Sequence, residues 1–480
     1  MNNTSSSALK ASVGYTVANY LFKGISFVTV PIFIRILSQE DFGIYNTFLA
    51  YNAILYIIIG LALHSSLKNA NSKFGKDFDK YVSCISLLPV SIAFCAGITG
   101  FLLRNLIGKV LNIPPDTIVW LVIHSYSYGV VIFYGYKTAL TYNYKEYIKV
   151  SAVNAIGNTI VSILLIFTLF TASRYMGRIV GCTIVYALVA GYVVLSSFRV
   201  QRPAFNKEYI IYSLKISLPI VPHGLAQVLL LQFDRIMINS YIGSKQAAIY
   251  GFSYSIYSIV QITTNSLSTV YEPWFFKEMR DSVNNKYHII QIGTCFAALI
   301  SFITIGIMTF APEAIFIIGG VKYKDSFDCL LPVLFAGFFA MTYSIPAIVE
   351  YYCEKTRYMA IGTAITAILN VILNIVFIPK CGYVVAAYTT LISYIVYYSI
   401  HFYVSKRLYG ENIISAKSNV FFIVTIILTW GVVAYFRDYI IIRVLFFAVV
   451  FALYIVFALK MLGKQEVIRI VKVLIKKESD

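Results

Sequence analysis

Charged residues are scarce in this chain. Asp, Glu, Lys and Arg make up 12% of its 480 residues against 59% hydrophobic ones, and the mean hydropathy is +0.77. That balance excludes an ordinary soluble globular domain. Long polar connections are missing too, since no stretch between apolar runs exceeds roughly 20 residues, which leaves no room for a folded extramembrane domain. A membrane glycan polymerase or ligase, which needs a sizeable external loop for its catalytic site, is disfavoured, and the expected protein is not an enzyme. No GxxxxGK(S/T) phosphate loop occurs, so an ATP-driven pump is disfavoured as well. The seven cysteines, Cys84, Cys95, Cys182, Cys295, Cys329, Cys353 and Cys381, form no CxxC and no Cys/His cluster. They read as apolar filler, and no metal site is expected. Asp77-Phe78-Asp79 matches the DxD pattern of many glycosyltransferases, but in a short lysine-rich loop it reads as a solvated turn.

What is present is apolar length. Crossing roughly 30 Å of hydrocarbon takes a helix of about 20 apolar residues, and about fourteen such runs can be placed. They lie near 11–36, 42–66, 81–103, 117–141, 148–170, 177–197, 213–242, 247–270, 287–310, 327–349, 358–378, 383–404, 419–436 and 440–460. The expected fold class is therefore an all-α polytopic membrane protein. The net charge of +18 would suit nucleic acid, but its distribution suits orientation in a membrane, and no nucleic-acid partner is expected. With the N-terminus in the cytoplasm, about 25 Lys and Arg fall inside and about 11 outside, among the former Lys68–Lys80 and Arg199–Lys215. Lys23, Lys137 and Arg235 lie within spans. An even number of spans puts both termini in the cytoplasm. Met1–Ala8 carries no basic residue and the first apolar run is too long for a signal core, so the first span is expected to be retained.

Polar residues inside spans are where chemistry is expected, because residues three, four, seven and eleven apart share one helix face. On the first span Ser12, Tyr15, Thr16, Asn19, Lys23 and Ser26 form one stripe, and Lys23 falls near the bilayer midplane, too deep to reach an interface easily. A water-filled cavity is the expected surrounding. The seventh span puts His223, Gln227 and Asp234 on one face and Gln232, Arg235 and Asn239 on its neighbour, with Pro219 and Pro222 expected to kink its inner half. Asp234 and Arg235 point about 100° apart and need not pair with each other. They serve either as fixed charges with partners on other helices or as substrate contacts. Asp234 is read as the only mid-span carboxylate.

The fifth and eleventh spans carry matching stripes: Ser151, Asn154, Asn158 and Ser162 against Thr363, Thr366, Asn370 and Asn374. Such stripes serve helix-to-helix contacts or line a cavity, and both readings stand. Tyr126, Tyr128, Tyr134 and Tyr136 on the fourth span offer flat faces with hydroxyls, which suit sugar rings, although interfacial belts account for most membrane tyrosines. His64 and His124 read as satisfied polar groups. In the tail, Val467, Ile468, Val471, Leu474 and Ile475 oppose Arg469, Lys472 and Lys476, the pattern of an amphipathic helix on the cytoplasmic leaflet.

Sliding the chain by about 205 to 212 positions brings Leu9-Lys10 onto Leu214-Lys215, Ser151–Asn158 onto Thr363–Asn370 and Gly177–Thr183 onto Gly382–Tyr388, in that order. A duplicated half is expected. The segments PIFIRILSQEDFGIYNTF (31–48), SLPIVPHGLAQVLLLQFDRIMINSYIGSKQAAIYGFSYSIYSIV (217–260) and IPKCGYVVAAYTTLISYIVYY (378–398) resemble the polysaccharide transporter family of the MOP superfamily, the Wzx-type O-antigen and capsule flippases. The superfamily also holds the lipid II flippase MurJ and the MATE drug antiporters. The resemblance implies a MOP/MATE-like fold of two parallel six-helix lobes facing a central cavity, here 1–200 and 201–405, followed by two further helices in 406–462 and the tail 463–480. It implies flipping of undecaprenyl-diphosphate-linked oligosaccharide across the bacterial inner membrane by alternating access, with membrane lipids and other polysaccharide assembly proteins as partners. The family's Asp-Arg signature falls on Asp234 and Arg235.

The full set of candidate cavity residues is Lys23, Asn19, Asp234, Arg235, His223, Gln227, Tyr126, Tyr128, Asn158 and Asn370. Lys23 and Arg235 supply positive charge for a diphosphate. No organic cofactor is expected, and a coupling ion would be H+ or Na+. The alternative is an ion-coupled, MATE-like antiporter of cationic small molecules, which calls for more acidic residues in the cavity than the spans hold.

Overall fold

A computed structural model describes residues 29–141, 143–281 and 286–463. Among these the secondary structure is helical throughout, without strands. Ten helices are long and apolar enough to cross a membrane, and an eleventh span follows if one bent pair is joined. The chain is a multi-pass membrane protein. Asn19 and Lys23, with most of the first span, and the tail beyond Gly463 lie outside the described residues.

Two compact units divide the chain. The first runs to Gly251 and takes in Ile378–Tyr383. It opens with a helical end at 29–36 (α1), followed by α2 (Gln39–Gly60), α3 (Leu67–Phe74), α4 (Phe78–Ile85), α5 (Leu87–Leu102), α6 (Arg104–Leu111), α7 (Thr117–Leu140), α8 (Tyr144–Ala152), α9 (Asn158–Thr168), α10 (Arg174–Val200), α11 (Lys207–Ser217), α12 (Ile220–Tyr241) and the start of α13 (Ser244–Asp281). Ser38 starts α2 through a capping box: its hydroxyl accepts from the Asp41 amide at 3.0 Å while the Asp41 carboxylate accepts from the Ser38 amide at 3.3 Å. The span formed by α4 and α5 is interrupted at Ser86, whose hydroxyl bonds back to the Val82 carbonyl at 2.7 Å and so competes with the backbone ladder. Between α8 and α9 a π turn at Val153–Gly157 holds the buried Asn154. The seventh span bends by 43° between α11 and α12, where Pro219 removes an amide donor. The expected kink is therefore present.

Within this unit α7 packs on α2 and α10, α10 on α9, and α12 on α2. Gly181 makes the α9–α10 crossing feasible, because a Cβ there would lie 2.5 Å from the Ser162 Cα.

The second unit comprises Phe252–Phe377 and Val384 onward. It holds the rest of α13, then α14 (Lys286–Thr309), α15 (Ala311–Gly319), α16 (Phe327–Thr342), α17 (Ser344–Tyr352), α18 (Arg357–Cys381), α19 (Val385–Tyr409), α20 (Ala416–Tyr435) and α21 (Ile440–Leu462). α19 lies against α16 and α17, while α14 supports α20 and α21. Tyr454 ties three helices together, its hydroxyl 2.6 Å from that of Ser301 and 3.0 Å from that of Thr425. Arg443, 1% exposed, forks onto the Glu313 carboxylate and also donates to the Thr309 carbonyl. On α21 Ile441, Leu445 and Val449 are bare, which lipid tolerates and water does not. α19 is long enough to span yet rich in Ser, Thr and Tyr, and it buries Thr389, Thr390, Ser393, Tyr394 and Tyr397 against protein.

Candidate transport site

α12 carries the polar centre of the first unit. Asp234 is 1% exposed and accepts a hydrogen bond from the Tyr250 hydroxyl at 2.6 Å. Arg235, next in sequence but on another face, donates to the Gln232 side chain at 2.8 Å. Near the end of the same helix Asn239 and Asn112 clasp each other: each side-chain amide donates to the other's backbone carbonyl at 2.7 Å. The Ser244 hydroxyl donates to the Asn239 side-chain Oδ1 at 2.8 Å, and the Tyr51 hydroxyl donates to the Leu111 backbone carbonyl at 2.9 Å. Gly43 of α2 sits so close to the chain at Ser244 that a Cβ would fall 1.8 Å from the Ser244 carbonyl oxygen. Backbone approach of this kind seals one end of the unit between α2, α12 and the start of α13.

Toward the opposite end, the one carrying the Lys68–Lys80 segment, α2, α7 and α10 leave a narrow cleft with a mostly apolar lining. Tyr56, His64, Ser86, Ser125, Tyr126, Tyr134, Lys137 and Ser197 supply its polar groups, and no Asp or Glu belongs to its lining. Lys137 is paired with Asp79 at 2.9 Å and Asp77 with Lys80 at 2.8 Å, so both aspartates of the Asp77-Phe78-Asp79 segment are held by lysines. The α7 tyrosines separate into different roles. Tyr126 and Tyr134 reach the cleft, Tyr128 packs in a column with Tyr56 at 5.2 Å and Tyr186 at 5.6 Å, and Tyr136 is exposed and stacks on His64 at 4.7 Å. The buried His124 faces the Thr183 hydroxyl at 3.3 Å.

Asn158 places its side-chain oxygen 2.7 Å from an Arg178 nitrogen, and Ser162 joins at 2.8 Å. Arg178 is 8% exposed, and its guanidinium also lies 3.7 Å from the Phe33 ring centroid and 4.8 Å from that of Tyr45. The sequence did not single it out, because it stood at the second residue of the expected span 177–197, whereas α10 begins a turn earlier at Arg174. In the second unit Asn370 donates to Thr390 at 3.4 Å and accepts from Asn374 at 3.1 Å, and Asn374 in turn accepts from Thr389. His223 is half-buried, with a ring nitrogen that has no partner among the described residues, and Gln227 on the same helix is exposed.

Beside Asp234, read as the only mid-span carboxylate, a second buried carboxylate stands at a span end: Glu350 of α17 is 0% exposed and bonds to His401 of α19 at 2.7 Å. Ending that span at 349 left Glu350 one residue outside it.

The many-helix fold is the one shared by solved MOP-superfamily transporters. The chain belongs to the family described as polysaccharide biosynthesis protein, whose profile matches residues 8–279. Among solved structures it is similar to the lipid II flippase MurJ in its inward closed conformation, at 16% identity and a TM-score of 0.69, covering 93% of this chain and 99% of that one. It is also similar to an inward-facing multidrug resistance MATE family transporter, at 14% identity and a TM-score of 0.58 over 80% and 98%. A MOP superfamily transporter from Pyrococcus furiosus, whose binding pocket is described as reversed in polarity, aligns at 12% identity and a TM-score of 0.54 over 84% and 95%. No curated protein sequence matches the chain.

Proposed function

We propose that this protein flips undecaprenyl-diphosphate-linked oligosaccharide units from the cytoplasmic to the outer leaflet of a bacterial inner membrane. The observation that carries the reading is the cleft of the first unit, a mostly apolar wall set with Tyr56, Tyr126, Tyr134, His64 and Lys137, whose partner Asp79 lies outside the lining. Sugar rings stack on tyrosine faces and bond to hydroxyls, and a diphosphate needs cationic company on its way through the membrane. An antiporter of cationic drugs would call for the opposite charge at this place. With both termini in the cytoplasm the lysine-rich end faces inward, so the cleft opens to the leaflet where the cargo is made and the Gly43–Ser244 contact closes the route outward. Two parallel six-helix lobes rocking about a central site would then give alternating access. Lys23 is assigned the diphosphate contact. Family membership supports a transporter rather than an enzyme.

Deleting the gene and fractionating the lipids tests this. The expected result is lipid-linked oligosaccharide held on the cytoplasmic side, restored to export by the wild-type chain and not by Lys23→Met, whose protein level stays normal. Unchanged export in the deletion strain would reject the reading.

A further inference from the structure

We propose that Glu350 and His401 form a proton-binding site in the second unit, and that its proton couples the flippase cycle to the transmembrane proton gradient. The proposal rests on the transporter reading above and assigns residues to its coupling. Both side chains are 0% exposed, and the His401 Nδ1 lies 2.7 Å from a Glu350 oxygen. The other Glu350 oxygen and the His401 Nε2 have no hydrogen-bond partner among the described residues. Two ionisable groups in such contact act as one unit. Holding a single proton the pair is neutral overall, whether written as carboxylate with imidazolium or as acid with imidazole. Releasing it leaves one net negative charge, and taking a second leaves one net positive charge. Either step leaves an uncompensated charge in a site closed to water. Exchange requires water to reach it, and hence a movement.

The surroundings supply the closure and a means of opening. Tyr397 meets the His401 ring almost perpendicularly at 4.6 Å, and Tyr343 covers it at 5.5 Å. The Tyr397 hydroxyl is itself engaged with Thr363 of α18 at 3.0 Å. Nε2 faces Gly362 of α18, where a Cβ would come within 3.0 Å. Glu272 of α13 adds its charge beyond Tyr343, and the Lys355 amide caps the Glu350 carbonyl at 2.8 Å. From α17, α18 and α19 the titratable groups at the pair are thus Tyr343 and Tyr397, and no Lys or Arg side chain bonds to it among the described residues. Glu350 rides on a nine-residue helix that continues α16 through the right-handed Tyr343 and has its joint at the far end. There Glu354, beyond Tyr352, takes the left-handed region with φ 58°. Tilting this short helix would part Glu350 from His401 and admit water at the unpartnered atoms. A structural staple between α17 and α19 would show the same bond but no exchangeable proton.

The test uses the full-length protein in vesicles of phosphatidylethanolamine and phosphatidylglycerol. Infrared difference spectra between about pH 5 and pH 8 report carboxyl and imidazole protonation directly and need no cargo. A change in both bands that moves together in the wild type, vanishes in Glu350→Gln and His401→Gln and persists in Glu350→Asp is expected. Wild-type bands that do not change, or a change that survives Glu350→Gln, would overturn the site. Should the glutamine variants fail to fold, the wild-type spectrum and Glu350→Asp still decide. In the second arm, vesicles carry fluorescently labelled undecaprenyl-diphosphate N-acetylglucosamine and an imposed pH gradient. Wild-type flipping should accelerate with the gradient, and Glu350→Gln should lose that dependence. A gradient response unchanged in Glu350→Gln refutes the coupling. No flipping by the wild type under any condition, with the infrared change intact, would instead count against the flippase reading.

Discussion

Adding one methyl group at Gly43 should unseal the closed end of the first unit. In Gly43→Ala the new Cβ would start 1.8 Å from the Ser244 carbonyl oxygen, whereas real Cβ contacts stay at 3.0 Å or more, so α2 and the chain at Ser244 must separate by at least 1.2 Å. The Asn112 and Asn239 clasp is made at 2.7 Å on each side, and the Ser244 bond to Asn239 at 2.8 Å. The Tyr51 bond to Leu111 ties the Asn112 segment to α2, so the two clasp bonds lengthen with it, pass beyond roughly 3.5 Å and cease to be hydrogen bonds, while the Ser244–Asn239 bond within one segment stays. At about 0.6 kcal/mol for each of the two membrane-buried bonds the closed form loses about 1.2 kcal/mol, roughly 8-fold in the equilibrium between sealed and open forms. Thr47, one turn along α2, is 0% exposed in the sealed form. A Thr47→Cys reporter in a chain without its native cysteines should therefore react with an impermeant maleimide, added outside intact cells, up to roughly 8-fold faster when Gly43→Ala is present. Gly60→Ala on the same helix meets nothing within 4 Å and serves as the control. Equal labelling in Gly43→Ala and Gly60→Ala would refute the seal.

Arg178→Ala should lower the stability of the purified protein by about 3 kcal/mol, by orphaning Asn158 and Ser162 and opening a cavity against Phe33, while Arg178→Lys should cost less; thermal unfolding in detergent measures both, and an unchanged midpoint in Arg178→Ala contradicts the assignment. Cysteines in the Lys68–Lys80 and Arg199–Lys207 loops should resist labelling from outside cells, and cysteines at Lys322–Asp325 should label, the reverse pattern inverting the orientation. The Arg443 hydrogen bond holds the Glu313 carboxyl below the ordinary carboxylate range. The stability this brings is fully present above the ordinary value of about 4.3 and is lost as pH falls through the lowered one, so the unfolding midpoint should be level from about pH 8 to 5 and drop below. Glu313→Gln should lower the neutral-pH midpoint and flatten that drop; a wild-type acid limb that Glu313→Gln leaves unaltered would contradict it.

Much of the architecture was legible because hydrocarbon demands length and apolarity, both of which are local properties. Pro219 foretold the α11–α12 bend for the same reason, since a missing amide acts within a turn. The interactions that shape the site are not local. Asn112 and Asn239 are 127 positions apart and bond chiefly through backbone carbonyls, which every residue possesses, so nothing in their identity announced the pairing. The Ser/Asn/Thr stripes could be drawn on helix faces, but a helical wheel does not tell which face meets a neighbour. The structure spends Asn158 on Arg178 and Asn370 on Thr390 and Asn374. The four α7 tyrosines looked equivalent in sequence, and only packing separates the cleft pair Tyr126 and Tyr134 from the packed Tyr128 and the exposed Tyr136. Glu350 was overlooked because an apolar window ends at the first charge, which is where a buried pair also begins.

The fork between Arg443 and Glu313 bears on how the chain is made. The two residues are 130 positions apart, and α21, which brings the arginine, is the last of the described helices. At about 5 to 20 residues per second a ribosome needs roughly 7 to 26 s to supply the partner of a glutamate that has already emerged. Through that interval α15 must hold its carboxylate in water or against the translocation machinery, and the bundle around α14 cannot close. Chains interrupted after α20 would present an unclaimed acid at this corner, a mark by which membrane proteases could tell an unfinished protein from a finished one.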